Sequence, residues 1–175
     1  MVEKVLRSLL ALCILALIAT NPWFNLIDLI SIPGWRNLSE SEKLEKCISW
    51  EEEVSEDLGV LDAPTIVTKS VTDDDVYSNC CGLYQHWDNT IVLYLDNIDD
   101  VVDAYDTVCH EMRHAYQRQE SLSGSDLGDQ YAVNFKNYIK CYEDEKGYRQ
   151  QLVEADAYDY AASMVKQNFF DLFFN

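Results

Sequence analysis

Apolar residues recur along this chain with two periods, and each period predicts a different element. Residues 38–57 lack glycine and proline, and their apolar residues fall near helical spacing, so we expect an amphipathic helix that ends before Gly59. The β-branched run at residues 65–68 follows a proline and is typical of a short strand. This part of the chain is therefore predicted to join one helix to the start of a sheet.

A hairpin is predicted next, followed by the longest helical pattern. Residues 81–84 and 90–95 are apolar runs separated by a short turn at residues 86–89, which favours a β-hairpin. Apolar residues return to helical spacing over residues 100–118. Residues 121–129 are rich in glycine, serine and aspartate and are predicted to form a loop.

Two helices are predicted after this loop, at about residues 130–143 and 148–170. The aromatic residues at the end of the second helix are expected to dock on the core. The order helix, small antiparallel sheet, helix, loop and helices indicates an α+β fold. We expect the sheet to pack on helix 100–118 and on the C-terminal helices.

The first 35 residues differ from the rest of the chain. Residues 9–19 are eleven consecutive apolar residues that follow Lys4 and Arg7, as in a secretory signal. A bulky residue occupies position −3 of each candidate cleavage site, and the run is shorter than the ~20 residues that span a bilayer. A cleaved signal, an uncleaved signal anchor and a buried N-terminal helix all remain open.

The sequence supports a division into a signal or signal-anchor segment, residues 1–35, and a globular domain, residues 36–175. Trp23 and Trp35 lie where an interfacial anchor would place them. The sequence therefore allows membrane association through residues 5–32. The globular domain would then be secreted, or it would be membrane-anchored and lie outside the cell. A cytoplasmic location is the alternative.

Charge excludes one class of partner. The chain carries 13 Lys and Arg against 31 Asp and Glu, a net charge of −18, and residues 1–35 contribute nothing to this sum. The acidic domain repels phosphate backbones, so we expect no nucleic-acid partner. The oligomeric state cannot be predicted from the sequence.

Five cysteines lie in the domain, which is an odd number. Cys109 falls within the helical pattern 100–118 and is expected to be a buried free thiol. The other four could form two disulfides in an oxidising compartment, and their pairing is left open: Cys47, Cys80, Cys81 and Cys141.

The residues His110-Glu111-Met112-Arg113-His114 form an HExxH motif within the predicted helix. Histidines four residues apart project from one helix face about 40° apart, so both rings can reach one zinc ion at ~2.0–2.1 Å. Glu111 lies beside that position, where its carboxylate can accept a proton from water. The motif predicts a zinc site with Glu111 as general base.

A third ligand must come from elsewhere, because the third histidine of metzincins is missing. Glu154 shares a helix face with Ala157 and Ala161, and such small residues allow close approach of the two helices. Asp156 is expected to project to nearly the opposite face. Glu154 is therefore the predicted third metal ligand.

An HExxH motif followed about 40 residues later by a helical glutamate resembles the ligand layout of zincin metallopeptidases with a distal glutamate. The run EADAYDYAASMV also resembles the E-x-[E/D]-A-x-x-[F/Y]-A segment of ImmA/IrrE-type peptidases, although no DNA-binding half is present. Residues 100–165 are similar to small uncharacterised bacterial and phage metallopeptidases. The resemblance implies a zincin-like fold that holds Zn²⁺ on His110, His114 and Glu154.

The resemblance implies a zinc-dependent metallopeptidase that acts on a peptide or protein substrate. An alternative is a metal-binding zincin without turnover, acting as a structural or interaction module; a weaker one is a membrane-associated scaffold with an accidental motif. Asp106 and nearby acids are expected to orient the histidines. Four residues are candidates to stabilise the oxyanion: His86, Tyr116, Tyr148 and Tyr158.

Overall fold

The computed structural model describes residues 34–71 and 79–174. Residues 1–33 of the predicted signal segment 1–35, and with them the stretch 5–32 expected to associate with a membrane, lie outside the described residues. The described elements, in chain order, are α1 (Glu40–Leu58), β1 (Thr65–Thr68), β2 (Gly82–Gln85), β3 (Thr90–Leu93), α2 (Val101–Glu120), α3 (Asp126–Lys136), α4 (Glu145–Gln150) and α5 (Leu152–Phe174). Five α-helices and a small sheet in this part of the chain confirm the α+β class.

The first helix is fixed by local signals at both of its ends. Ser39 caps the N-terminus by accepting a hydrogen bond from the backbone of Glu42, whose side chain in turn binds the Ser39 backbone N–H. Gly59 ends the helix with a φ of 67°, a conformation that suits glycine. The predicted helix 38–57 is therefore confirmed, with small shifts at its ends.

The sheet is mixed, so the prediction of an antiparallel sheet is only partly correct. β2 and β3 form the predicted antiparallel hairpin, with the turn residue Asn89 at a φ of 52°. β1 pairs in parallel with the other side of β3, which gives the order β1-β3-β2. β3 is the most buried of the three strands because it lies between the other two.

The later helices differ from the predictions at three places. α3 begins at Asp126, inside the predicted loop 121–129, with Ser125 as its N-cap. It ends at Lys136, so the second part of the predicted helix 130–143 is not helical. The last helical stretch is interrupted, because Gln151 adopts an extended conformation between α4 and α5, and this break determines the position of Glu154.

The helix α2 is the centre of the fold, since it contacts α1, α3, α5 and β2. Trp35 is also part of this core: it is 1% exposed, it stacks on Trp50, and its indole N–H donates to the carbonyl of Ile98 at 3.1 Å. The expectation that Trp35 serves as an interfacial anchor is therefore wrong. In the described parts of the chain, no helix combines the length and apolar character needed to cross a bilayer.

Candidate metal centre

The helix α2 brings the HExxH residues into the protein interior. Asp100 caps the helix by accepting hydrogen bonds from the backbone of Val102 and Asp103. The apolar face of α2 buries Ala104, Val108 and Met112 completely, and this packing fixes the rotation of the helix. The three residues that define the HExxH motif are all buried: His110 and Glu111 are each 7% exposed and His114 is 9% exposed.

The helix α5 supplies the third member of the site. Its first turn is capped by Asn134, whose side-chain oxygen accepts from the backbone N–H of Val153 at 2.8 Å. Glu154 follows in that first turn, where the helix dipole favours a negative charge. Ala157 and Ala161 are both 0% exposed, as the predicted alanine stripe requires, and α5 packs closely on α2.

His110, His114 and Glu154 meet in one buried group. The two Nε2 atoms lie 3.2 Å apart, and each lies 3.3 Å from a different carboxylate oxygen of Glu154. Ligand atoms held ~2.0–2.1 Å from a tetrahedral ion would be about 3.3–3.4 Å apart, so the observed spacing suits a metal ion. These residues could therefore hold a metal ion between them.

The polar atoms of this group also fit a bound cation. Glu154 is 0% exposed and its Oε2 accepts no hydrogen bond among the described residues. Burial opposes ionisation of Glu154, but His110 and His114, each 3.3 Å from one of its carboxylate oxygens, lower its pKa below the ordinary value. Burial likewise lowers the pKa of His114, yet Glu154 outweighs it and raises that pKa to about 9. The carboxylate thus requires a positive charge beside it, from a proton or a metal.

Gln117 orients the ring of His114. It is 0% exposed, and its amide nitrogen donates to the carbonyl of Val153 at 2.8 Å and to Asp156 at 2.7 Å. The amide oxygen therefore faces Nδ1 of His114, at 2.9 Å, and accepts a hydrogen bond from its N–H. The lone pair of a neutral His114 is then on Nε2, which points to Glu154.

The other histidine has no comparable partner. Nδ1 of His110 makes no hydrogen bond within the described ranges 34–71 and 79–174. The expected contact of Asp106 with this nitrogen is therefore not formed. Burial raises the pKa of the Asp106 carboxyl, and the charge of His110 opposes part of that rise. Tyr158 packs against the ring instead, with the two ring centres 4.5 Å apart.

Asp156 does not face away from α2, so that expectation is wrong. Its carboxylate accepts two hydrogen bonds from Arg113, at 2.8 and 2.9 Å, and others from Gln117 and the hydroxyl of Tyr131. Burial raises the pKa of Asp156, but these hydrogen bonds lower it overall. Asp156 therefore links α2, α3 and α5 and does not belong to the group that could hold a metal ion.

Glu111 lies next to the metal-ligand group but belongs to a different contact. Its Oε2 accepts a hydrogen bond of 2.7 Å from the backbone N–H of Tyr84 in β2. The strand approaches α2 closely at Gly82, where an added Cβ would lie 2.6 Å from Cγ2 of Thr107 and 3.0 Å from Cγ of Glu111. A glycine at this position lets the sheet hold the carboxylate.

A cavity of about 340 Å³ opens beside Glu111, His114 and Glu154. Two of the four predicted oxyanion candidates, His86 and Tyr148, line it. Tyr116 does not; its ring packs under the guanidinium of Arg113 instead. The remaining lining residues are largely aromatic or apolar: Leu83, Tyr84, Trp87, Phe135, Tyr138 and Tyr142.

Tyr138 is a site residue that the sequence did not reveal. Its hydroxyl donates to Oε1 of Glu154 at 2.5 Å, and its ring meets that of Tyr148 edge-on at 6.1 Å. Burial and the charge of Glu154 raise the pKa of both tyrosines, so both hydroxyls remain protonated donors. Tyr138 lies in the loop between α3 and α4, although the sequence predicted a helix over residues 130–143.

The chain matches no protein-family model, no curated protein and no solved structure at a significant level. Its function must therefore be inferred from the chemistry of its own site. Two imidazoles and one carboxylate are a donor set found in catalytic zinc sites that keep one coordination position open. A further carboxylate, that of Glu111, lies at the cavity that adjoins this set.

Proposed function

We propose that this protein is a zinc-dependent metallopeptidase with a zincin-like arrangement of its active site. His110, His114 and Glu154 would hold Zn²⁺, and Glu111 would act as the general base. The observation that carries this proposal is the buried group in which the two histidine Nε2 atoms lie 3.2 Å apart and each lies 3.3 Å from one carboxylate oxygen of Glu154, beside a cavity that also contains Glu111.

A zinc ion at this site would act as a Lewis acid that activates water and polarises a carbonyl group. Glu111 has one carboxylate oxygen engaged by the N–H of Tyr84, so the other is available to a water molecule. Glu111 accepts a proton from the attacking water and passes it to the leaving amine. The contact with Tyr84 keeps the carboxylate in one orientation while it does so.

The cavity lining also suits a peptide substrate. Tyr148 is a protonated donor on the cavity wall and is the candidate best placed to stabilise the oxyanion. Aromatic side chains around it favour a substrate with an apolar or aromatic residue near the scissile bond. Arg118 and Lys140 also line the cavity, so an acidic group of the substrate can be accommodated despite the negative charge of the protein.

Zinc content tests the ligand assignment. Purified wild-type protein should contain about one zinc ion per chain by plasma mass spectrometry, because the three proposed ligands form one site. Glu154→Ala should lose this zinc, because only two imidazoles remain. Asp159→Ala, an exposed change on the same helix, should retain it. Zinc bound as tightly by Glu154→Ala as by the wild type would show that Glu154 is not a ligand.

The variant Glu111→Gln tests catalysis separately from metal binding. Without the base, cleavage of a peptide library should fall by about 10²–10⁴-fold, while zinc content stays unchanged. Cleavage by the wild type should also stop when a chelator removes the metal. If zinc-loaded wild-type protein cleaves nothing in such a library, the alternative of a metal-binding structural or interaction module is favoured instead.

A further inference from the structure

Two thiols lie at the cavity although they are distant in sequence. Cys80 precedes β2 and Cys141 lies in the loop between α3 and α4, and both line the cavity together with Glu111 and Glu154. Both are half-buried. Both are free thiols on the wall of one cavity. Burial raises the pKa of Cys80 to about 11, and the nearby Cys141 and Glu111 act in the same direction.

The other described cysteines are occupied elsewhere. Cys47 and Cys109 are 0% exposed in the hydrophobic core, where burial raises the pKa of each thiol to about 12. Cys81 directly follows Cys80, but its side chain packs against the hydrophobic core and its thiol donates to the carbonyl of Asn97 at 3.4 Å. The thiols that meet in the cavity are therefore those of Cys80 and its neighbour in the α3–α4 loop.

We propose that Cys80 and Cys141 form a disulfide that closes one side of the cavity. The two thiols give up two protons and two electrons as the S–S bond forms. A low-molecular-weight disulfide, such as oxidised glutathione, accepts the electrons and is cleaved to two thiols through a mixed disulfide. An exported chain would meet such conditions, because oxidising compartments maintain disulfides.

The bond would join the two segments that hold the key carboxylates. The loop that carries Cys141 also carries Tyr138, whose hydroxyl donates to Glu154. The strand that follows Cys80 carries Tyr84, whose N–H donates to Glu111. The disulfide fastens these segments to each other at the rim of the cavity, and it restricts the unfolded chain.

Mass spectrometry can locate the bond directly. The full chain is equilibrated with oxidised glutathione, alkylated in denaturant without reductant, and digested. We expect one cross-linked peptide pair that contains Cys80 and Cys141 and is two hydrogen atoms lighter than the separate peptides, with Cys47 and Cys109 alkylated. Alkylation of most of the Cys80 and Cys141 thiols under these conditions would overturn the proposal.

Matched serine variants distinguish the two adjacent cysteines. Addition of a phosphine reductant should lower the Tm of the wild type and of Cys81→Ser by about 5–10 °C, the effect of opening one long loop. Cys80→Ser and Cys141→Ser should not respond to the reductant. A response that is lost in Cys81→Ser but kept in Cys80→Ser would assign the bond to Cys81 and refute the proposal. Neither readout depends on peptidase activity.

Discussion

The amide oxygen of Gln117 lies 2.9 Å from Nδ1 of His114 and thereby determines which ring nitrogen faces Glu154. Gln117 cannot turn its amide around without loss of two hydrogen bonds, to the carbonyl of Val153 and to the carboxylate of Asp156. One buried side chain thus sets the tautomer of a candidate metal ligand and joins the two helices that carry the candidate ligands.

Gln117→Leu should therefore weaken zinc binding by about 10–100-fold, because the substitution leaves the volume similar but no longer fixes the ring. The measurement is competition for zinc with a chromophoric chelator. Gln167→Leu, a change on the exposed side of α5, is the control and should bind zinc as the wild type does. Equal affinity in the two variants would mean that Gln117 has no role in orienting His114.

The contact between α2 and α5 depends on small side chains. Ala161 is 0% exposed, and Ala162 beside it is exposed. Ala161→Leu should lower the free energy of unfolding by about 1–3 kcal/mol through overpacking, and zinc affinity should fall because α5 carries Glu154. Ala162→Leu should change neither quantity. Urea unfolding and zinc titration of both variants test this; a stable Ala161→Leu with normal zinc affinity would contradict it.

The close approach at Gly82 predicts that an added methyl group destabilises the fold and that a second substitution, at Thr107, restores part of the stability. Gly82→Ala should destabilise the fold by about 1–3 kcal/mol and displace Glu111, since the new methyl group meets Cγ2 of Thr107 at 2.6 Å. Thr107→Ser removes that methyl and should restore part of the loss, keeping the hydroxyl that donates to Asp103. Urea unfolding and peptide cleavage of the single and double variants measure both effects.

A control for the glycine experiment lies at the start of the described chain. Gly34 has nothing within 4 Å of the position its Cβ would take. Gly34→Ala should therefore leave the unfolding curve unchanged within about 0.5 kcal/mol. If the double variant of Gly82 and Thr107 is no more stable than Gly82→Ala alone, the steric explanation fails.

Two arginine–aspartate pairs provide a test of geometry. Arg113 is half-buried and binds Asp156 through two hydrogen bonds, whereas Arg36 and Asp99 form an exposed pair at 3.0 Å. Arg113→Lys should cost about 1–2 kcal/mol, because an ammonium group cannot make both contacts. Arg36→Lys should cost less than about 0.5 kcal/mol. Thermal unfolding of both variants gives the comparison, and equal losses would argue against a special role for Asp156.

The sequence predicts the parts of this structure that depend on nearby residues. α1 is marked by Ser39 and Gly59 at its ends, and the hairpin by two apolar runs around a short turn. Glu154 could be found because its alanine neighbours at helical spacing, Ala157 and Ala161, define a buried face. In each case the signal lies within a few residues of the feature it predicts.

Features that depend on distant contacts were not predictable in this way. The parallel pairing of β1 with β3 leaves no mark in either strand, since periodicity does not record the direction of a partner. Gly128 suggested a loop, but it lies in α3. A glycine is required there because a Cβ would come 2.2 Å from the carbonyl oxygen of Glu120. Tyr138 reaches the site only through the packing of other helices. Gln117, in contrast, lies three residues after His114 on α2, so helical spacing alone could have indicated its contact with that ring.

A main-chain N–H, rather than a side chain, holds the proposed catalytic base: the contact comes from the backbone of Tyr84. Every residue except proline offers this group, so the side chain at position 84 can change while the base keeps its orientation. The same side chain lines the cavity. In the proposed peptidase, a substitution at position 84 can therefore alter substrate preference while the base stays in place.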